Sequence, residues 1–141
     1  MNITCTVGGF SNWDQLGSAG RRALPPALIA AGNVGRNAIR RALRGGYYSS
    51  LGNHGDWVTG NSLNHVTLSD PVVRPNSGYI TVGTDLLYNL YWEVGHHNLF
   101  TRNYERDERW APAWREANQP MTQAFVRVYR RVIQQDASGR A

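Results

Sequence analysis

The sequence predicts an α+β domain: a small antiparallel sheet built on a hairpin at about 63–82, packed against an N-terminal helix at about 24–44 and a C-terminal helix at about 120–134. Three patterns carry this. Ile80 and Val82 alternate with Tyr79 and Thr81, the period-two signature of a half-buried strand. Two longer segments repeat small and apolar residues every three to four positions, as an amphipathic helix does. Between the putting-together elements lies Pro75-Asn76-Ser77-Gly78, a turn that folds one strand back on the next. At 141 residues the chain fits one domain over 1–141, with its core at about 24–133 and a fraying tail at 136–141.

Taken in order, Ile3 to Val7 suits an edge strand, and Trp13 to Leu16 a first helical turn capped by Ser11 or Asn12. Pro25 and Pro26 fit the opening turn of a helix, where a missing N–H costs nothing. From there Leu24, Leu28, Ala31, Gly35, Ala38, Ile39 and Ala42 fall on one side, opposite Asn33, Asn37, Arg40 and Arg44, and Gly45-Gly46 ends the run. Small residues on the inner face predict close approach to a sheet or another helix. The stretch from Gly45 to Gly60, rich in Gly, Ser and Tyr, is long for a loop and is expected to serve as a contact arm.

Leu63 to Val73 is expected to be a strand with Val66 and Leu68 inward, broken near Asp70-Pro71 because proline cannot donate to a ladder. After Val82, Gly83 ends the returning strand, and Thr84 or Asp85 caps a short helix over Leu86 to Val94, in which Leu87, Leu90, Tyr91 and Val94 share one stripe. Gly95 stops it. The segment from His96 to Arg109 is a polar loop of mixed charge, suited to solvation or salt bridging. Pro112 opens a helical turn through Ala117, and Pro120 restarts it with Met121, Ala124, Phe125, Val128 and Val132 on one stripe and Arg127, Arg130 and Gln134 on the far side.

Composition narrows the function classes. A single cysteine, Cys5, forms no intrachain disulfide, which fits a reducing compartment. Met1 to Thr4 lacks the charged and apolar regions of a secretory leader, and no run reaches the ~18 apolar residues of a membrane span. All fifteen basic residues are arginine, against ten carboxylates, for a net charge of +5. Arginine offers fixed charge and a planar fork of donors to carboxylates and phosphates.

The stretch from Tyr79 to His96, with valine, glycine and threonine followed by tyrosine, glutamate and glycine, resembles the tail-completion (head–tail joining) proteins of long-tailed bacteriophages. Thr59-Gly60-Asn61-Ser62-Leu63 resembles that family's approach to its first long strand, with Ser62 as an intruding residue. Trp110-Ala111-Pro112-Ala113 resembles the start of its last helix. The resemblance spans roughly Leu24 to Ile133. It implies a structural virion protein of the neck, without enzymatic activity, cofactor or metal, that is assembled in the host cytoplasm. It implies a ring, by analogy a hexamer, with a portal-side adaptor or stopper and a tail terminator or tail tube as neighbours. Packaged double-stranded DNA would pass through the lumen, where Arg36, Arg40 and Arg44 are the expected lining. A tail terminator or stopper of the same neck is the nearest alternative.

Aromatic and arginine residues near loops are the usual anchors of protein interfaces. On that basis Tyr47, Tyr48, Trp57, Tyr88, Tyr91, Trp92, Glu93, Arg102, Arg106 and Arg109 are the subunit-contact residues expected here. The resemblance implies that Glu93 either anchors a helix end or pairs with an arginine of a neighbouring subunit. Two other classes compete. Glu93, His96 and His97 have the spacing to begin a metal site of a small hydrolase or nuclease, but a catalytic zinc needs three ligands and no second pair follows. Glu105, Asp107 and Glu108 would serve magnesium only if their arginine neighbours left them unpaired. The arginines at 36, 40, 41 and 44 alternatively mark a basic nucleic-acid-binding module, for which no recognition motif is present.

Overall fold

The computed structural model describes residues 3–8, 17–44, 61–74, 77–97 and 102–139. Its sheet is built around one central strand, β4 (Ser77–Thr84). Strand β1 (Ile3–Gly8) pairs antiparallel along one side, from Ile3 opposite Thr84 to Gly8 opposite Tyr79. The other side is one interrupted strand, β2 (Thr67–Leu68) and β3 (Val72–Arg74), both antiparallel to β4. Across the interruption Ser69 keeps the ladder closed: its N–H donates to Thr81 O at 2.9 Å and its Oγ accepts from Thr81 N at 3.0 Å. Pro71, which has no N–H to give, sits in that gap, as the sequence predicts.

The hairpin begins later than expected. Asn61–Asn64 form a helical turn, α2, so Leu63 is not in a strand. That turn buries Ser62 and lets Val66 N bond Leu63 O at 3.4 Å, which sets up Val66 as the first inward residue. At the other end β4 runs through Gly83 to Thr84, because β1 and β2 both pair with Gly83 and β1 continues to Thr84.

Helix α1 (Gly17–Ala42) is longer than predicted at its start and runs through Pro25 and Pro26. Each internal proline removes one backbone hydrogen bond. Burial of Gly20, Ala23 and Leu24 upstream offsets that loss. The same correction applies to α4 (Trp110–Ala137), one continuous helix that passes through Pro120 instead of restarting there. Its buried Trp110, Ala113, Ala117 and Met121 recur every three to four residues and keep the helix pressed on α1 across the proline. The two helices are antiparallel, since Trp110 and Ala113 pack with Ile39 and Leu43 while Asp136 pairs with Arg22 at the far end.

Two glycines let α1 lie this close to both neighbours. A Cβ on Gly32 would stand 2.6 Å from Leu68 Cδ1 and 3.0 Å from Ile80 Cγ2, on the sheet. One on Gly35 would stand 2.6 Å from Trp114 Cζ3 and 2.7 Å from Met121 Sδ, on α4. The small-residue inner face read from the sequence is therefore the junction of both packings. Ile80 and Val82 point into the core as predicted, with Ile39, Leu43, Val66, Trp92 and Trp110 around Val82.

Candidate interaction surface

Helix α3 (Leu87–Val94) follows β4 after two residues. Thr84 organises the junction: its Oγ accepts from Leu86 N at 3.1 Å and from Asn89 Nδ2 at 3.0 Å. Leu86 is the N-cap residue and contributes no side-chain bond, so Thr84 acts one residue ahead of the helix it was expected to cap. At the other end Gly95, at φ 90°, closes the helix with its N–H on Tyr91 O at 2.9 Å. Tyr104 Oη fills the space a side chain would need there, donating to Val94 O at 2.7 Å.

Helix α3 turns three of the four residues of its apolar stripe outward, while Leu90 is half-buried. Asn89, Trp92 and Glu93 are buried, whereas Leu87, Tyr91 and Val94 are 44%, 49% and 53% exposed. Glu93 explains the choice. Its carboxylate accepts from the backbone N–H groups of Arg109 at 2.8 Å, Trp110 at 3.0 Å and Ala111 at 2.9 Å, which are the unpaired donors at the start of α4. A negative charge at a helix N-terminus is further favoured by the helix dipole. The α4 N-cap residue, Arg109, makes no side-chain cap of its own, so Glu93 does this from a distant part of the chain.

A matching contact fixes the end of α1. The Arg109 guanidinium donates to Ala42 O, the last residue of that helix, at 2.9 Å and is held by Asp107 at 2.9 Å. The expected polar loop after α3 is in part a small hairpin, β5 (His96–His97) against β6 (Tyr104–Glu105). It is tied back to α3 by Asp107 N on Trp92 O at 2.9 Å and by Arg106 Nε on Glu93 O at 3.0 Å. Mixed charge in this segment resolves into salt bridges, Arg106 with Glu108 and Arg109 with Asp107.

The predicted contact residues thus separate. Tyr91 is exposed on the outer stripe and Arg102 is exposed at a φ of 59°. Trp92 belongs to the core, and Glu93 and Arg109 are occupied within the chain. Arg106 is exposed but engaged at Glu93 O and Glu108. Tyr47, Tyr48 and Trp57 lie outside the described residues, as does the side chain of Tyr88. Sequence reasoning missed Tyr104, 57% exposed, which joins Leu87, Tyr91 and Val94 through its bond to Val94 O. The result is an exposed apolar stripe on α3 with the Tyr104 ring at its C-terminal end.

Of the proposed lumen arginines, Arg36 is half-buried with its guanidinium on Asn33 Oδ1 at 2.9 Å, Arg40 is half-buried, and Arg44 is exposed. The residues of the metal reading do not share a focus: Glu93 faces α4, while His96 lies edge-on to the Trp92 ring at 4.8 Å. Among the described residues no three His, Cys, Asp or Glu side chains are grouped to hold a metal ion, and no helix is long and apolar enough to cross a membrane. No protein-family model, curated protein or solved structure matches this chain.

Proposed function

We propose that this protein is a structural subunit of the head–tail connector of a tailed bacteriophage, a tail-completion or head–tail joining protein without catalytic activity. It packs side by side with its own copies as a ring through which double-stranded DNA passes, between a portal-side adaptor or stopper and the tail terminator or tail tube. The observation that carries this reading is the outward stripe of Leu87, Tyr91 and Val94 on a helix whose Asn89 and Glu93 are turned inward, with the exposed Tyr104 of β6 at its C-terminal end. An apolar ridge left on the outside is what a subunit presents to another protein. A ring requires contacts in which one surface meets a different surface of the next copy. The motif resemblance over Leu24 to Ile133 gives the setting.

The ridge supplies a direct test. Finishing the burial of three half-exposed apolar side chains is worth about 1 kcal/mol each. The triple variant Leu87→Ser, Tyr91→Ser, Val94→Ser should stay folded, with a melting temperature lowered by about 10 °C because the buried halves of the same side chains are also lost, yet weaken each contact about 100-fold. Supplied in place of the natural protein during particle assembly, it should leave heads and tails unjoined. Full joining by a folded variant would remove the ridge from the account.

A further inference from the structure

We propose that the face of α4 carrying Arg127, Arg130 and Arg131 is a contact surface for the phosphate backbone of double-stranded DNA, independent of base sequence. The three side chains are exposed and border one open surface hollow with Gln123 and Gln134. They stand at i, i+3 and i+4, so their attachment points are about 4.5 and 6 Å apart along the helix axis. Like charges at these spacings oppose helix formation unless something neutralises them.

Nothing among the described residues does. The acid nearest them on the same helix, Asp136, is taken by Arg22 of α1, and no carboxylate among the described residues lines the hollow. Arginine forks beside glutamine amides are the groups that hold phosphate oxygens.

This face contrasts with the α3 ridge. The ridge carries no charged side chain, whereas the α4 hollow is bordered by three arginines and two glutamines beside Thr122 and Val126. It contrasts also with α1, where Arg36 is half-buried and held by Asn33. The inference deepens the connector reading by naming the surface that meets DNA, but its test uses purified protein alone, so it can fail while particle joining stands.

The experiment is a titration of the 15N-labelled protein with a 16-base-pair duplex, followed by backbone and guanidinium NMR shifts, which register weak binding. Shifts should centre on 122–134. Three phosphate contacts give a salt slope of about −2.7, so raising salt from 50 to 200 mM should weaken binding about 40-fold. A second duplex of unrelated sequence should bind equally. Arg127→Gln, Arg130→Gln, Arg131→Gln should abolish the shifts with a melting temperature equal to or above the parent's, because the like-charge repulsion is relieved, and the lysine triple variant should restore most of the shifts. The proposal is overturned if shifts centre on 36–44, if the glutamine triple variant binds as well as the parent, or if no shift appears at 50 mM salt. It is equally overturned if polyglutamate of equal charge binds as tightly, which would make the face a site for acidic protein.

Discussion

Glu93 is the residue whose replacement should cost most for its size. Its carboxylate serves three backbone donors at the start of α4, those of Arg109, Trp110 and Ala111, in a buried setting. A conventional cap is worth about 1 kcal/mol, while hydrogen bonds to a charged group contribute about 1.5–3 kcal/mol. Glu93→Ala strands all three donors and removes a charge from the helix N-terminus. Water reaching the half-buried Arg109 and Ala111 amides recovers part of the loss, whereas the buried Trp110 amide has no such recourse. The sum is a loss of about 3–4 kcal/mol. Glu93→Gln retains one acceptor oxygen without the charge and should lose about half as much. For a domain of this size the alanine change lowers the melting temperature by about 10–15 °C. Urea unfolding followed by circular dichroism and by tryptophan fluorescence measures both variants. A loss below ~1 kcal/mol for Glu93→Ala would refute the reasoning that this side chain holds α4 to α3.

Other outcomes follow from the same packing. Val82→Asp places an unpaired carboxylate among Ile39, Val66 and Trp92, at a penalty of several kcal/mol that a domain of ordinary stability does not survive; a soluble variant with native circular dichroism would contradict the strand phase. Gly35→Ala gains about 1 kcal/mol of helix propensity but forces the rigid Trp114 ring aside, at about 1–3 kcal/mol. It should be destabilising on balance and worse than Gly32→Ala, whose Cβ meets the end of the half-buried Leu68 side chain at 2.6 Å and must displace the buried Ile80 methyls at 3.0 and 3.2 Å only by a few tenths of an ångström; denaturant midpoints compare the two. The hydrogen bond from His65 to Asp85 at 2.9 Å holds the Asp85 carboxyl below its ordinary value of 3.8. Because that value is depressed, the contribution is present above pH ~3.8 and is lost as pH falls through the folded-state value. The stability difference between the parent and Asp85→Asn should therefore shrink below that pH, and a difference that grows on acidification would contradict it.

The β-hairpin phase was legible in the sequence because a period of two leaves only one inward set, Ile80 and Val82, once neighbours at 79 and 81 are polar or amphipathic. The small residues of α1 likewise announced close packing. Proline misled at 25, 26 and 120, since a missing hydrogen bond is a local cost and the burial that outweighs it is tertiary. The orientation of α3 was not legible for a different reason. A 3.6-residue apolar stripe says which residues lie together, not whether the chain or a partner covers them. The decision rests with Asn89 and Glu93, whose partners are Thr84 and the backbone amides 16 to 18 residues onward. Backbone amides leave no mark in a sequence.

The most direct measurement is electron microscopy of particles produced without this gene. Under the proposed connector role, DNA-filled heads alongside complete but separate tails are expected, restored to joined particles when the protein is supplied. Joined, infectious particles in its absence would contradict it.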